Sequence, residues 1–127
     1  MTNSIADLDQ ADVIMLIGSN TTTAHPVIGM RLQAAARNGM KLVVVDPRKT
    51  TLARMAHLHL PIRGGTDIAL LKGIMRAIVD ENLQNDAFIA ERTEGYEELL
   101  ESLKELTVEQ AAAICEVPAE DIREAAR

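Results

Sequence analysis

One cysteine, Cys115, stands in the 127 residues, so no internal disulfide can form. No basic-then-apolar leader precedes the first polar residues, which points away from secretion and toward a cytoplasmic setting. Membrane insertion is not expected either. The longest apolar runs, at 13–17 and 42–45, fall far short of the roughly 20 residues needed to span a bilayer. Several signatures of chemistry are missing as well. No Ser-His-Asp set, H-E-x-x-H pattern or phosphate-binding lysine loop can be assembled, and Gly18 is followed by no glycine until Gly29, so the G-x-G-x-x-G fingerprint is absent. There is no internal repeat and no low-complexity segment. On its own chemistry the chain is expected to bind rather than to react, with no catalytic and no metal-ligating residue.

What is present fits one ordinary globular domain, 47% hydrophobic and 25% charged. A chain of this length buries roughly two-thirds of its unfolded surface, so folding demands no metal or disulfide. The net charge of −6 conceals two electrostatic halves. Residues 1–79 carry nine Lys/Arg against five Asp/Glu, whereas residues 80–127 carry four against fourteen. The acidic half excludes nucleic acid wrapped around the whole domain, because phosphates need basic surface along their path. A small anion held by the first half remains compatible.

Along the chain, a weak helical turn at 4–9 precedes the apolar run 12–17, closed by Gly18, which reads as a buried parallel strand. A polar loop, 19–24, leads to His25-Pro26 and a helix over 27–37, with Pro26 suited to a first helical position and Gly39 to the position just past the end. The β-branched run 41–45 is a second strand, stopped by Asp46-Pro47. Residues 50–56 suggest a short helix, and 57–62 alternate as a third, half-exposed strand. Thr66 then caps a helix with Ile68, Leu71, Met75, Ile78 and Val79 on one stripe. Strands alternating with helices imply a parallel sheet. From Asn85 only helical patterns follow, at 86–91, 95–103, 108–114 and 119–127, with a capping box expected from Thr107 and Gln110. The expected fold is α/β: a Rossmann-like three-layer fragment with a short parallel sheet of three strands, then a helical C-terminal segment. Residues 1–82 form a nucleotide-arm-binding core and 83–127 a helical appendage of the same domain. The last helix stops without a C-terminal cap, as expected of a piece of a longer chain.

In an open parallel sheet the loops after the strands gather at one edge, where ligands bind. These loops read Gly18-Ser19-Asn20-Thr21-Thr22-Thr23, Asp46-Pro47-Arg48-Lys49 and Arg63-Gly64-Gly65-Thr66-Asp67. Glycines admit phosphate oxygens to backbone N–H groups, hydroxyls donate to them, and Arg48 or Arg63 can pair with them bidentately. Asp46 or Asp67 can accept two hydrogen bonds from the edge of guanine, or bind ribose hydroxyls. Each loop taken alone is also an ordinary turn; their coincidence favours a nucleotide site. His25 is read as a local hydrogen-bonding residue. His57 and His59 share a strand face but lack a third metal ligand, and Cys115 is read as a small buried hydrophobe.

At these loops the sequence resembles the molybdopterin (bis-guanine-dinucleotide) oxidoreductases. The likeness runs through Gly18-Ser19-Asn20, His25-Pro26, Val45-Asp46-Pro47-Arg48-Lys49, Leu58-His59-Leu60 and Gly65-Thr66-Asp67, and through Gly95-Tyr96 it is similar to the formate dehydrogenase alpha (large) subunit subfamily. The resemblance implies an internal fragment of such a subunit, cradling the nucleotide arm of molybdopterin guanine dinucleotide with Gly18, Ser19, Asn20, Asp46, Arg48, Gly65, Thr66 and Asp67. It also implies that the metal (Mo or W), its ligands, the iron–sulfur cluster and the catalytic residues belong to other parts of the parent, leaving the fragment inactive in formate oxidation. Expected partners are the rest of that subunit and electron-transfer subunits, and a bare sheet edge invites artificial homodimers. Two alternatives stand beside this: another molybdopterin oxidoreductase such as a nitrate reductase, and a free-standing nucleotide-binding or interaction module.

Overall fold

A computed structural model describes residues 4–127. The chain is mixed α/β and divides into two compact units, Met1–Pro61 and Ile62–Arg127.

In the first unit a 3₁₀ turn, Ile5–Gln10, precedes strand β1 (Val13–Ile17), a single helical turn α1 (Thr21–Ala24), helix α2 (Pro26–Arg37), strand β2 (Lys41–Val45) and strand β3 (Leu58–Leu60). The three strands form one parallel sheet in the order β1-β2-β3. Central β2 is buried from Leu42 to Val45, as a strand paired on both sides should be. One face carries Leu42 and Val44, which pack with Leu32 of α2, Leu52 and Ala53, while Ile14, Leu16 and Ile28 close around them. α2 starts and stops where the sequence indicates, with Pro26 in its first turn and Asn38 capping its end.

Three expectations need correction here. β1 is an edge strand whose burial alternates, with Val13, Met15 and Ile17 all exposed, so it is half-exposed rather than buried. Residues 50–56 do not form a helix. The Thr50 hydroxyl accepts from the Ala53 N–H and the Thr50 carbonyl from the Arg54 N–H, a capped helix-like turn that does not propagate into a helix. The loop 19–24 contains a helical turn, α1.

The second unit is helical: α3 (Asp67–Asp80), α4 (Asp86–Arg92), α5 (Tyr96–Leu103), α6 (Val108–Cys115) and α7 (Ala119–Ala126). The division between units falls before α3, which packs with α6 and α7. The stripe expected on α3 is not the buried one. Leu70, Gly73, Ile74 and Ala77 are buried, whereas Ile68 is 76% exposed and Leu71 is also exposed. The helix is apolar nearly all round, and its small residues decide which side a neighbour can approach. At Gly73 that approach leaves no room, for an added Cβ would stand 2.7 Å from the Ala111 Cβ of α6. The expected capping box forms at α6, Thr107 accepting from the Gln110 N–H while Gln110 accepts from the Thr107 N–H. Arg127 donates to both oxygens of Glu81 at the end of α3, at 2.8 Å each, and to Glu120 at 3.0 Å.

Gly73→Ala is therefore expected to destabilise the second unit by about 1–3 kcal/mol, the usual cost of forcing extra volume into a packed contact, despite alanine's better helix propensity. Urea denaturation followed by circular dichroism measures it; a stabilised variant would contradict the packing.

Candidate functional site

The strands of the first unit end level. Ile17 pairs with Val45 and Val45 with Leu60, so the turns after β1 and β2 leave the sheet side by side. Gly18 continues the ladder by one bond, its N–H donating to the Val45 carbonyl at 2.8 Å, and then turns the chain with a φ of +59°. A side chain is strained in that conformation, which is the reason for glycine. Ser19 and Asn20 follow, both half-buried. Their side chains are tied into the turn: Ser19 Oγ lies 3.2 Å from Thr21 Oγ1, and Asn20 Oδ1 accepts from the Thr22 hydroxyl at 3.1 Å. The Asn20 carbonyl receives the N–H groups of Thr23 and Ala24, and Thr21 is buried. The His25 N–H donates to the Thr21 carbonyl and its carbonyl accepts from the Gly29 N–H, while its side chain makes no capping bond.

After β2 the arrangement is tighter than the sequence suggests. The Asp46 carboxylate is buried, and one oxygen accepts from the Arg48 N–H at 2.8 Å and from Arg48 Nε at 3.2 Å, the other from Arg48 Nη2 at 3.3 Å. The hydrogen bonds from the Arg48 side chain dominate in holding Asp46 below its ordinary pKa of 3.8, and the same contact raises that of Arg48. Desolvation opposes the shift without reversing it. His59 Nε2–H donates to the Asp46 carbonyl at 2.9 Å, which assigns that histidine an anchoring part. Among the described residues no group of three metal-ligating side chains occurs. Asp46 thus spends both oxygens on Arg48, whose guanidinium is 68% exposed and oriented by that grip. The pair presents a fixed cation to solvent, suited to an anion.

The remaining candidates open the second unit. Gly65 turns the chain at φ +84° and Thr66 precedes α3, but the Thr66 hydroxyl does not cap that helix as expected. It donates to the Arg63 carbonyl at 2.7 Å and is buried, so it closes the turn instead. Asp67, exposed in the first turn of α3, keeps its carboxylate accessible. Cys115 carries more than apolar volume: its carbonyl accepts from the Arg63 N–H at 2.9 Å and its thiol donates to the Thr66 carbonyl at 3.5 Å. Its place on an apolar helix face announced the burial, while nothing in the sequence announced the link to a loop some fifty residues away.

A parallel sheet whose strand ends carry a glycine turn, a hydroxyl cluster and a carboxylate-held arginine defines a class, the open α/β domain, a fold in which ligands bind at the carboxyl edge of the strands. Comparison with known proteins names the family. The family model described as molybdopterin oxidoreductase matches residues 1–116, and the chain belongs to that family. It is 46% identical over all 127 residues to the F420-dependent formate dehydrogenase 2 subunit alpha of Methanococcus maripaludis, and spans 19% of that protein. It is 39% identical over 126 residues (99% of the chain) to the assimilatory nitrate reductase catalytic subunit of Bacillus subtilis, spanning 18% of it. The solved structure of acetylene hydratase from Pelobacter acetylenicus superposes with a TM-score of 0.86 at 38% identity, covering 97% of this chain and 17% of the hydratase. The chain spans about a fifth of the length of the curated relatives it matches. The family implies a molybdopterin cofactor. The residues of the first unit fit the polar end of such a group: an exposed guanidinium locked in place, with half-buried Ser19 and Asn20 on the neighbouring turn.

The Asp46–Arg48 grip should be visible in acid. With its folded-state pKa lowered, Asp46 contributes stability that is fully present above the unfolded carboxylate value of about 4 and is lost as the pH falls through the lower folded value. Asp46→Asn is expected to be less stable than the parent chain at pH 7, with the gap closing progressively below pH ~4. Thermal melts across that range test it, and a gap that does not narrow in acid would refute the assignment.

Proposed function

We propose that this chain is part of a formate dehydrogenase large subunit and that it holds the guanine-nucleotide end of molybdopterin guanine dinucleotide. The observation that carries the reading is Arg48, an exposed cation immobilised by a buried carboxylate on a turn adjacent to Gly18-Ser19-Asn20. In this reading Arg48 pairs with the diphosphate, and Gly18, Ser19 and Asn20 supply backbone and side-chain donors. Asp46 acts through Arg48 rather than on the ligand, since its oxygens are engaged. That leaves Asp67 as the carboxylate for the paired N–H edge of guanine, a contact adenine cannot offer. Gly65 and Thr66 shape the turn that presents it.

When bound, the cofactor's metal, molybdenum or tungsten, supplies the two-electron chemistry. Oxidation of formate to carbon dioxide is then a reaction of the parent enzyme, with an iron–sulfur cluster and electron-transfer subunits receiving the electrons. This chain binds and orients one end of the cofactor, and by itself is inactive. A nitrate reductase remains the second reading, because the Bacillus subtilis relative is similar along nearly the whole chain. The domain assignment consistent with this role is residues 1–82 as the nucleotide-binding part and 83–127 as its helical appendage.

Calorimetric titration with GMP and GDP, against AMP and NAD, tests the reading. GDP is expected to bind most tightly, Arg48→Ala to weaken it about tenfold or more, as loss of a charge-assisted pair implies, and Asp67→Ala to erase the preference for guanine over adenine. Equal binding of AMP and GDP, or no nucleotide binding, would overturn it.

A further inference from the structure

The second unit carries a cleft with no part in the nucleotide reading. Met75, Ile78 and Val79 of α3 form one wall; Ile89 of α4 with Tyr96 and Leu99 of α5 form the other. The cleft measures about 420 Å³, is open to solvent, and has a mostly apolar lining. Leu83 and Phe88, sequence neighbours of the lining residues Gln84 and Ile89, are large apolar side chains exposed at 46% and 58%. The amide oxygen of Gln84, another lining residue, is buried and has no hydrogen-bond partner among the described residues. A buried acceptor left unmatched costs free energy that an incoming donor would recover.

The surroundings are strongly acidic. Residues 86–105 carry seven acids against two bases. Glu94 lines the cleft, and the Glu98 carboxylate lies at its rim, 3.2 Å from where a Cβ on Gly95 would stand. Glu91 and Glu101 are paired with Arg92 and Lys104, but Glu94, Glu97 and Glu98 have no ion-pair partner among the described residues. An apolar trough with unneutralised carboxylates on the flanking segment disfavours nucleic acid and anionic membrane, which those charges repel.

We propose that this cleft receives a basic amphipathic helix from a partner polypeptide. Apolar side chains of the partner, spaced three or four residues apart, enter between α3 and α5, as in other helix-in-groove recognition. Its flanking Lys and Arg side chains meet Glu94, Glu97 and Glu98, and one N–H donor satisfies Gln84. The volume, within the roughly 300–1,000 Å³ typical of ligand pockets, admits a few anchoring side chains.

A synthetic Leu/Lys amphipathic helix of about 14 residues serves as the probe, titrated by fluorescence anisotropy into the 127-residue chain, with a scrambled peptide of identical composition as control. The amphipathic peptide is expected to bind at least about tenfold more tightly than its scramble. Ile78→Glu should abolish that advantage. The surface variant Glu97→Lys/Glu98→Lys, which leaves the apolar walls intact, should weaken binding several-fold, about threefold or more. Circular dichroism of each variant checks its fold, and the surface variant decides the matter should Ile78→Glu unfold. Equal binding of the scramble, indifference to the charge reversal, or no binding would each overturn the proposal, the first by reducing it to general attraction toward an acidic surface and the second by removing the charge complementarity.

Discussion

The features at the carboxyl edge of the sheet follow from how β2 ends. As the one strand paired on both sides, it fixes the level at which β1 and β3 stop, and Asp46 extends its register by one residue. The Asp46 N–H donates to the Leu60 carbonyl, its own carbonyl receives His59, and its carboxylate turns back onto Arg48. All three polar groups of one buried residue are thereby satisfied, which a charged side chain at that depth requires. The consequence reaches the surface. Arg48 is held by a rigid sheet rather than by a free loop, and a cation whose orientation is already set loses less freedom on meeting an anion.

The second unit solves a different problem. It has short helices with little room for a large core, and it relies on small residues to bring backbones close: Gly73 of α3 meets Ala111 of α6 with Ile122 of α7 beside them, and Ala77 and Ala112 are buried too. Ion pairs secure the margins, Arg127 to Glu81 and Glu120, and Arg123 to Glu109. These margins are exposed and screened, so they set the angles of helix ends more than they add stability. The same economy leaves α4 loosely engaged and the trough beside α5 unfilled, while the tail's surplus of acids stays on the outside.

Much of this was legible beforehand. The strands announced themselves as β-branched runs closed by Gly18 and by Asp46-Pro47, and Pro26 and Thr107 marked helix starts that the structure contains. The failures share a cause: local pattern does not say which neighbours exist. The run 12–17 reads equally as a central or an edge strand, and only pairing decides. On α3 two apolar stripes compete, and the steric allowance at Gly73 chooses between them. Residues 50–56 make a single capped turn, too short to propagate as a helix. At the site, composition put Asp46, Arg48 and Thr66 in the right turns without revealing that Asp46 and Thr66 bond within the chain. A carboxylate next to an arginine in sequence can face a ligand or its neighbour, and the depth of burial settles it.

That distinction bears on what kind of selection shaped the chain. Relatives similar along nearly its whole length are named for formate oxidation and nitrate reduction, and the superposing structure is a hydratase. Three reactions so different leave little in common at a reacting centre, whereas a shared cofactor needs the same grip on its far end each time. The residues here accord with that division of labour. Asp67 stays accessible, but Ser19 and Asn20 are tied into their turn and Arg48 is fixed by a buried acid. Groups tied down in this way are poor at proton transfer, which needs a side chain free to change partners, and good at holding an anion, which needs one that does not move. The immobility of Arg48 and its neighbours is the physical feature on which the proposed binding role rests.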